Sequence, residues 1–257
     1  MDAIITAGGI PQPEELLYEV TQGQPKCILP IHGKLMVQWI LDALAEANAE
    51  HVVVMGLPED TPLVYPGDIH ILNSQGGIIE NIRAGAQEIL KFNPTRRPVM
   101  VISGDLPCVN SEMLKWAAEE AVQHPSDFQY TVVPRDVMEK VFPGSKRSYV
   151  KAKGLEVCGG DVIVIDSHKA LGNLPVVEKL VANRKNAFKQ AAILGFDLLL
   201  MLFMGWLSLE KAEKIVSQRL SIQGRVLVSP YAEVGMDVDK PNQLELVKNY
   251  FQSKYGG

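Results

Sequence analysis

Residues 3–9 read AIITAGG, residues 34–48 read KLMVQWILDALAEAN, and residues 51–55 read HVVVM. The first and third segments are short apolar runs. The middle segment repeats its apolar residues at the spacing of a helix that packs one face on a core. A strand, a helix and a second strand in this order predict two parallel strands joined by a helical crossover.

The same alternation continues along the first half of the chain. It predicts helices at 78–90 and 111–123, with Ser111 as N-cap of the latter, and a third strand at 98–103. Continuous apolar strands are typical of a sheet buried on both faces, so we expect a doubly wound, mainly parallel α/β sheet of the Rossmann-like type. Because ligands of such sheets bind beyond the carboxyl ends of the strands, the loops after Thr6 and Ser103 are the first candidates for a site.

The second half is less regular but contains no linker and no repeat. Strands are predicted at 130–133, 161–165 and 225–228, and helices at 185–204, 209–220 and 241–251. The prediction is one domain over 1–257 with a helical insertion at about 184–220.

Charge and cysteine content exclude several classes of protein. Lys and Arg total 25 against 30 Asp and Glu, a formal net charge of −5, which disfavours binding of nucleic acid by charge alone. The three cysteines, Cys27, Cys108 and Cys158, form no CxxC pair, so neither a zinc ribbon nor a disulfide framework is indicated. The first residues enter an apolar strand without a basic leader, and we expect a cytoplasmic protein.

One long apolar run must be shielded from water by the core, a partner or a membrane. Residues 191–207 read AAILGFDLLLMLFMGWL, with Asp197 as the one charge. A membrane span needs about 20 apolar residues, and this run is shorter and carries an acid and two glycines. A helix covered by the core or by a partner, as in a homodimer, is favoured over a peripheral membrane contact.

Two adjacent glycines follow the first strand, in the run Thr6-Ala7-Gly8-Gly9. Such glycines let backbone N–H groups approach a phosphate, and Lys26 in the following PKCILPI (25–31) can neutralise its charge. A simple turn is the alternative interpretation.

Two further loops carry carboxylates. Asp105 lies in SGDLP (103–107), after the third strand, where it either binds a hard cation or helps to turn the chain. Asp237 and Asp239 lie in GMDVDKP (235–241), and their spacing suits a magnesium site. Alternatively, Asp239 caps the last helix, with Pro241 in its first turn.

Together, AGG (7–9), PKCILPIHGKLMVQWILDAL (25–44), SGDLP and DVDKPNQLEL (237–246) resemble the MobA-like NTP transferases. The chain is similar to the sugar-1-phosphate uridylyltransferases and cytidylyltransferases of that type, most closely in GKLMVQWILDAL (33–44), and the resemblance extends to Arg147-Ser148-Tyr149. The resemblance implies a nucleotidyltransferase fold and reaction, in which a phosphate monoester attacks the α-phosphate of an NTP and pyrophosphate leaves. It also implies Mg²⁺, with CTP or UTP favoured as NTP and a sugar or polyol phosphate as acceptor.

The resemblance also assigns roles to particular residues. It implies catalytic roles for Lys26 and Asp105, and metal binding by Asp105 with Asp237 or Asp239. The predicted nucleotide contacts are Ala7, Gly8, Gly9, Lys26, Gly76, Gly77 and Gly104, and the predicted acceptor contacts are Gly160 and Asp161.

The chain departs from the family pattern in one loop. Relatives continue the first glycines as GxGxR, whereas here Glu14 and Glu15 follow and that arginine is missing. Lys26, Arg83 and Lys240 are candidates to supply the charge. The departure keeps open a nucleotide-binding regulator without catalysis, and SGDLP equally fits cytidylyl or guanylyl transfer to a pterin cofactor.

Overall fold

The computed structural model describes residues 1–95, 98–172 and 206–256, together with Lys179, Ile193 and Met201. The strands are β1 Asp2–Thr6, β2 Pro30–Ile31, β3 Lys34–Leu35, β4 His51–Met55, β5 Asp68–Leu72, β6 Pro98–Ser103, β7 Phe128–Pro134, β8 Val150–Ala152, β9 Leu155–Asp166 and β10 Gly224–Val228. The helices are α1 Tyr18–Thr21, α2 Met36–Glu46, α3 Ile78–Phe92, α4 Ser111–Gln123, α5 Arg135–Val141, α6 Ser167–Ala170, α7 Leu209–Leu220 and α8 Pro241–Tyr255.

The main sheet has the strand order β10-β7-β9-β6-β1-β4-β5, with β8 paired to β9. Strands β6, β1, β4 and β5 are parallel, β9 runs antiparallel between β6 and β7, and β10 is parallel to β7. From β1 the chain first builds outward to β5 and then returns to place β6 on the other side of β1. The resulting switch point opens a crevice at the carboxyl ends of β1 and β6.

Helices cover both faces of this sheet, which confirms the doubly wound, mainly parallel α/β prediction. One hydrophobic core joins the sheet to α2, α4 and α8, with residues such as Ile40, Leu114 and Val247 fully or almost fully buried. A second core joins the other face to α3 and α6. Burial on both faces explains why β1, β4 and β6 are continuous apolar runs.

Two local predictions are wrong. The N-cap of α4 is Asn110, not Ser111, because the Asn110 side chain accepts a hydrogen bond from the Met113 N–H at 3.2 Å. Asp239 does not cap α8. Its own N–H donates to the Gln243 Oε1 at 3.0 Å, and Lys240 is the N-cap residue, without a side-chain bond.

Of the insertion predicted at about 184–220, the structure describes mainly residues 206–220. Helix α7 coincides with the prediction for 209–220. Most of the apolar run 191–207, with its predicted core, homodimer or membrane cover, lies outside the described residues. Among the residues that are described, no helix is long and apolar enough to cross a bilayer.

Candidate active site

A cleft of about 1370 Å³ opens at the carboxyl ends of β1 and β6. Its polar end contains Gly9, Lys26, Asp105, Gly160, Asp161, Asp237 and Asp239. These residues come from five separate parts of the sequence. They meet because β1 and β6 end side by side. In addition, β9 returns antiparallel with Val162 opposite Ile102, which brings Asp161 beside the end of β6.

The glycines after β1 and β6 permit close approach of backbones. The backbones of Gly8 and Gly56 nearly touch, and a Cβ on Gly56, whose φ is +102°, would lie 2.4 Å from the Gly8 Cα. A Cβ on Gly104 would lie 3.1 Å from both the Ala7 Cα and the Cys27 Cβ. Gly104 therefore keeps the two strand ends together, and its N–H donates to the Thr6 carbonyl at 2.9 Å.

Ala7 itself is almost fully buried, and its N–H and carbonyl are engaged within the protein. The N–H donates to the Met55 carbonyl at 2.7 Å, and the carbonyl accepts from the Cys27 thiol at 3.0 Å. Exposure increases along the loop to Gly9, which lines the cleft. Of the predicted AGG contacts, Gly9 is thus the one that lines the cleft.

Three carboxylates converge beside this loop. Oxygen atoms of Asp105, Asp237 and Asp239 all lie within 4.8 Å of one another. The Val238 N–H donates to the Asp105 carbonyl at 3.2 Å and so holds the loop before α8 against the end of β6. The structure therefore places both Asp237 and Asp239 beside Asp105.

Lys26 lies between two of these carboxylates. Its Nζ contacts Asp105 Oδ2 and Asp239 Oδ1, while its backbone N–H is held by the Gly9 carbonyl at 2.9 Å. Burial lowers the pKa of Lys26, but the attraction of Asp105 and Asp239 outweighs this and leaves the pKa above its usual value. The ammonium is therefore charged at neutral pH.

Arg147 is a site residue that the sequence did not single out. Its guanidinium pairs with Asp237, donates to the Gly159 carbonyl at 3.0 Å, and lies 3.6 Å from Asp161 Oδ2. The one sequence signal was the Arg147-Ser148-Tyr149 run, which belongs to the family resemblance. Its distance from the other motifs along the chain concealed its place in the site.

Asp161 lines the same cleft, beside Arg147. Burial raises its pKa to about 6, the nearby Arg147 lowers it in part, and Asp105 and Asp239 raise it further. Its side chain is 38% exposed to the cleft, with protein on the remaining sides. The neighbouring Gly160 is packed on β7, since a Cβ there would lie 3.1 Å from the Thr131 carbonyl oxygen.

Other predicted residues lie at the periphery. Gly76 and Gly77 immediately precede α3, whose first residue, Ile78, lines the cleft. Glu14, Glu15 and Lys240 also line the cleft. The Nη2 of Arg83 donates to the carbonyl of Gly172, another residue of the cleft wall, at 3.4 Å.

The charges of the cluster fit a divalent cation. Asp105, Asp161, Asp237 and Asp239 bring four negative charges, and Lys26 and Arg147 bring two positive ones, which leaves a net charge of −2. Oxygen ligands of this kind suit a hard ion such as Mg²⁺.

Residues 3–192 match the profile of the MobA-like NTP transferase domain, which covers most of the chain. The chain belongs to the MobA-like NTP transferase family. This membership confirms the resemblance seen in the sequence and makes the chain a member of a nucleotidyltransferase family. The matched residues include Lys26, Asp105 and Asp161, whereas Asp237 and Asp239 lie beyond them.

Individual relatives agree with this assignment. A hypothetical transferase from Thermus thermophilus is 31% identical, with a TM-score of 0.82 over 95% of this chain and 98% of that one. The bifunctional protein GlmU of Thermosipho africanus (strain TCF52B) is 30% identical over 105 residues, which are 40% of this chain and 22% of that protein. The match thus spans about a fifth of the curated relative's length.

Two more distant structures share the fold alone. CMP:2-keto-3-deoxy-manno-octonic acid synthetase complexed with CTP is 13% identical, with a TM-score of 0.60 over 99% of this chain and 98% of that one. The 4-diphosphocytidyl-2C-methyl-D-erythritol synthase of Anaerococcus prevotii DSM 20548 is 12% identical, with a TM-score of 0.58 over 98% and 95%.

Proposed function

We propose that the chain is a magnesium-dependent nucleotidyltransferase that transfers NMP from CTP or UTP to a phosphorylated acceptor, such as a sugar or polyol phosphate. The observation that carries this proposal is the meeting of Lys26 with Asp105 and Asp239 beside Gly9. Such a site offers both a fixed positive charge and a set of carboxylates for a cation, which is what transfer at a phosphate requires.

In the proposed reaction an oxygen of the acceptor phosphate attacks the α-phosphorus of the NTP. The bond from that phosphorus to the oxygen bridging to the β-phosphate breaks, and pyrophosphate leaves with the bonding electrons. Mg²⁺ held by Asp105, Asp237 and Asp239 would neutralise charge on the phosphate oxygens. Positioning and charge neutralisation carry most of the catalysis in such transfers.

Each of the predicted site residues has a separate role in the proposed reaction. The Gly8-Gly9 backbone faces the phosphates, and Lys26 neutralises charge that develops on them. The loops at Gly76-Gly77 and Gly104 border the nucleotide. Gly160 and Asp161 bind the acceptor, and the Asp161 carboxylate accepts hydrogen bonds from acceptor hydroxyls.

Pyrophosphate release tests the proposal. The protein is incubated with CTP, UTP, GTP or ATP, Mg²⁺, and a panel of sugar and polyol phosphates. We expect release with one NTP and acceptor, its loss on addition of EDTA, and a fall of at least about 100-fold in Asp105→Asn. Asp42→Asn is the matched control, since Asp42 lies on α2 and pairs with Lys34 at 2.6 Å. Full activity of Asp105→Asn would refute the proposed role of Asp105.

One observation favours a second candidate, a nucleotide-binding regulator without turnover. Glu14 and Glu15 line the cleft where the family pattern places an arginine, and two acids there disfavour an unneutralised triphosphate. NTP binding seen as thermal stabilisation, without pyrophosphate release from any acceptor, would favour the regulator. If the acceptor is a pterin cofactor instead, pyrophosphate should be released from CTP or GTP once a pterin phosphate is added to the assay.

A further inference from the structure

The Lys26 ammonium lies against carboxylate oxygens that would also bind a divalent cation. It contacts oxygens of Asp105 and Asp239, two of the three groups whose oxygens lie within 4.8 Å of one another. Asp105 is almost fully buried, so its interaction with the ammonium is only weakly screened by solvent. A divalent ion that arrived alone would have to compete with Lys26 for the same oxygens.

The two cations of the site differ in their freedom to move. Arg147 is fixed through Asp237 and the Gly159 carbonyl, and its guanidinium is almost buried. Lys26 is fixed at its backbone by the Gly9 carbonyl, but its ammonium ends a flexible four-carbon stem. Its Cε lies 3.4 Å from where a Cβ of Gly9 would be, so the stem already runs along the loop that faces the phosphates.

We infer that Lys26 holds the place of the divalent cation until a triphosphate draws its ammonium away, so that the site takes the cation together with the nucleotide, as a metal–NTP complex. This inference rests on the proposed function. A triphosphate beside Gly9 offers the ammonium new anionic partners within reach of its stem, and its departure leaves Asp105 and Asp239 to the cation. The same side chain thus blocks the cation when the nucleotide is absent and neutralises phosphate when it is present.

Binding of Mn²⁺ alone tests this inference without any turnover. Mn²⁺ substitutes for Mg²⁺ on oxygen ligands, and its free concentration is read directly by electron paramagnetic resonance. Metal-free wild type, Lys26→Met, Lys26→Arg and Lys240→Met are titrated with MnCl₂, with and without CTP. Lys240→Met is the matched control because it removes one positive charge from the wall of the same cleft.

We expect Lys26→Met to bind Mn²⁺ alone at least 10-fold more tightly than wild type. Lys26→Arg keeps a cation between the carboxylates and should remain weak. Lys240→Met should change the affinity by less than 3-fold, and CTP should tighten Mn²⁺ binding in wild type but much less in Lys26→Met. Circular dichroism and a thermal melt establish that each variant is folded.

Several results would overturn the inference. These are unchanged or weaker Mn²⁺ binding by Lys26→Met, an equal gain in Lys240→Met, or no Mn²⁺ binding by any variant. If wild type releases pyrophosphate while Lys26→Met gains no Mn²⁺ affinity, only this inference fails. If pyrophosphate release is also absent, the proposed function fails with it.

Discussion

At the scale of single residues, Asp161 carries a folding cost that depends on pH. Burial raises its pKa to about 6 from an ordinary 3.8, and Arg147 offsets this only in part because its guanidinium also serves Asp237. An acid whose pKa is higher in the folded chain than in the unfolded chain opposes folding when ionised. The cost is therefore absent below about pH 4, grows as the pH rises, and is complete above about pH 6.

Asp161→Asn should accordingly stabilise the protein at pH 7.5 by roughly 1 kcal/mol, a value discounted because the side chain is partly exposed. The gain should shrink toward zero at pH 4. Urea unfolding at both pH values, in EDTA and without nucleotide, measures it, and the exposed Asp60→Asn serves as control. A gain that is equal at pH 4 and pH 7.5 would contradict the assignment.

Gly104 gives a second prediction at this scale. Gly104→Ala places a methyl group 3.1 Å from the Ala7 Cα and the Cys27 Cβ, and both of these neighbours are buried. We expect a loss of about 1–3 kcal/mol in the free energy of unfolding, as for other overpacked cores. Gly9→Ala, whose added methyl meets only the flexible Lys26 stem, should change it by less than about 1 kcal/mol. Equal losses of stability in the two variants would show that the close contacts of Gly104 do not exclude a larger side chain.

At the scale of elements, length and burial decided what could be predicted. Strands β4 and β6 and helix α7 have the predicted bounds, because each is either a continuous apolar run or a helix of three turns. Strand β5 was missed because none of its residues is fully buried and because it mixes charged with apolar side chains. Helix α5 was missed because seven residues hold too little of a helical period.

The extent of β9 shows what tertiary contacts add. Its twelve residues pass through Gly159 and Gly160, which resemble a loop in the sequence. They remain in the sheet because they pack closely against Tyr130 and Thr131 of β7, where the register between β7 and β9 shifts. This irregularity lies next to Asp161 and directs it into the cleft.

The N-cap of α4 gives a prediction at this scale. Asn110→Ala removes the side-chain acceptor of the Met113 N–H and should cost about 1 kcal/mol of stability. Ser111→Ala removes a solvent-exposed contact with Glu46 and should cost less than about 0.5 kcal/mol. Urea unfolding of both variants compares them, and the reverse order would restore Ser111 as the cap.

At the scale of the whole molecule, the C-terminal region is part of the site and of the core. The loop before α8 supplies Asp237 and Asp239, and α8 buries Phe251 against Trp39 of α2, with ring centroids 4.6 Å apart. Because α2 packs on the sheet beside β1, this contact links the end of the chain to its first crossover.

Phe251→Ala should therefore destabilise the whole fold by about 3–5 kcal/mol, in a single unfolding transition. Tyr255→Ala, in the same helix but 47% exposed, should cost less than about 1.5 kcal/mol. Circular dichroism and tryptophan fluorescence in urea follow the two variants. Separate transitions by the two probes would show that α8 unfolds independently.

The sequence by itself determined the fold class and the family, because buried strands and crossover helices leave periodic apolar patterns and the loops carry recognisable motifs. It also named Lys26, Asp105, Asp237 and Asp239. Only the tertiary structure brought these together and added Arg147. Lys26 and Asp105, for example, are 79 positions apart in the sequence, and a contact between residues so far apart leaves no local trace in it. Charge balance among buried groups depends on distances in space, and those are fixed by packing.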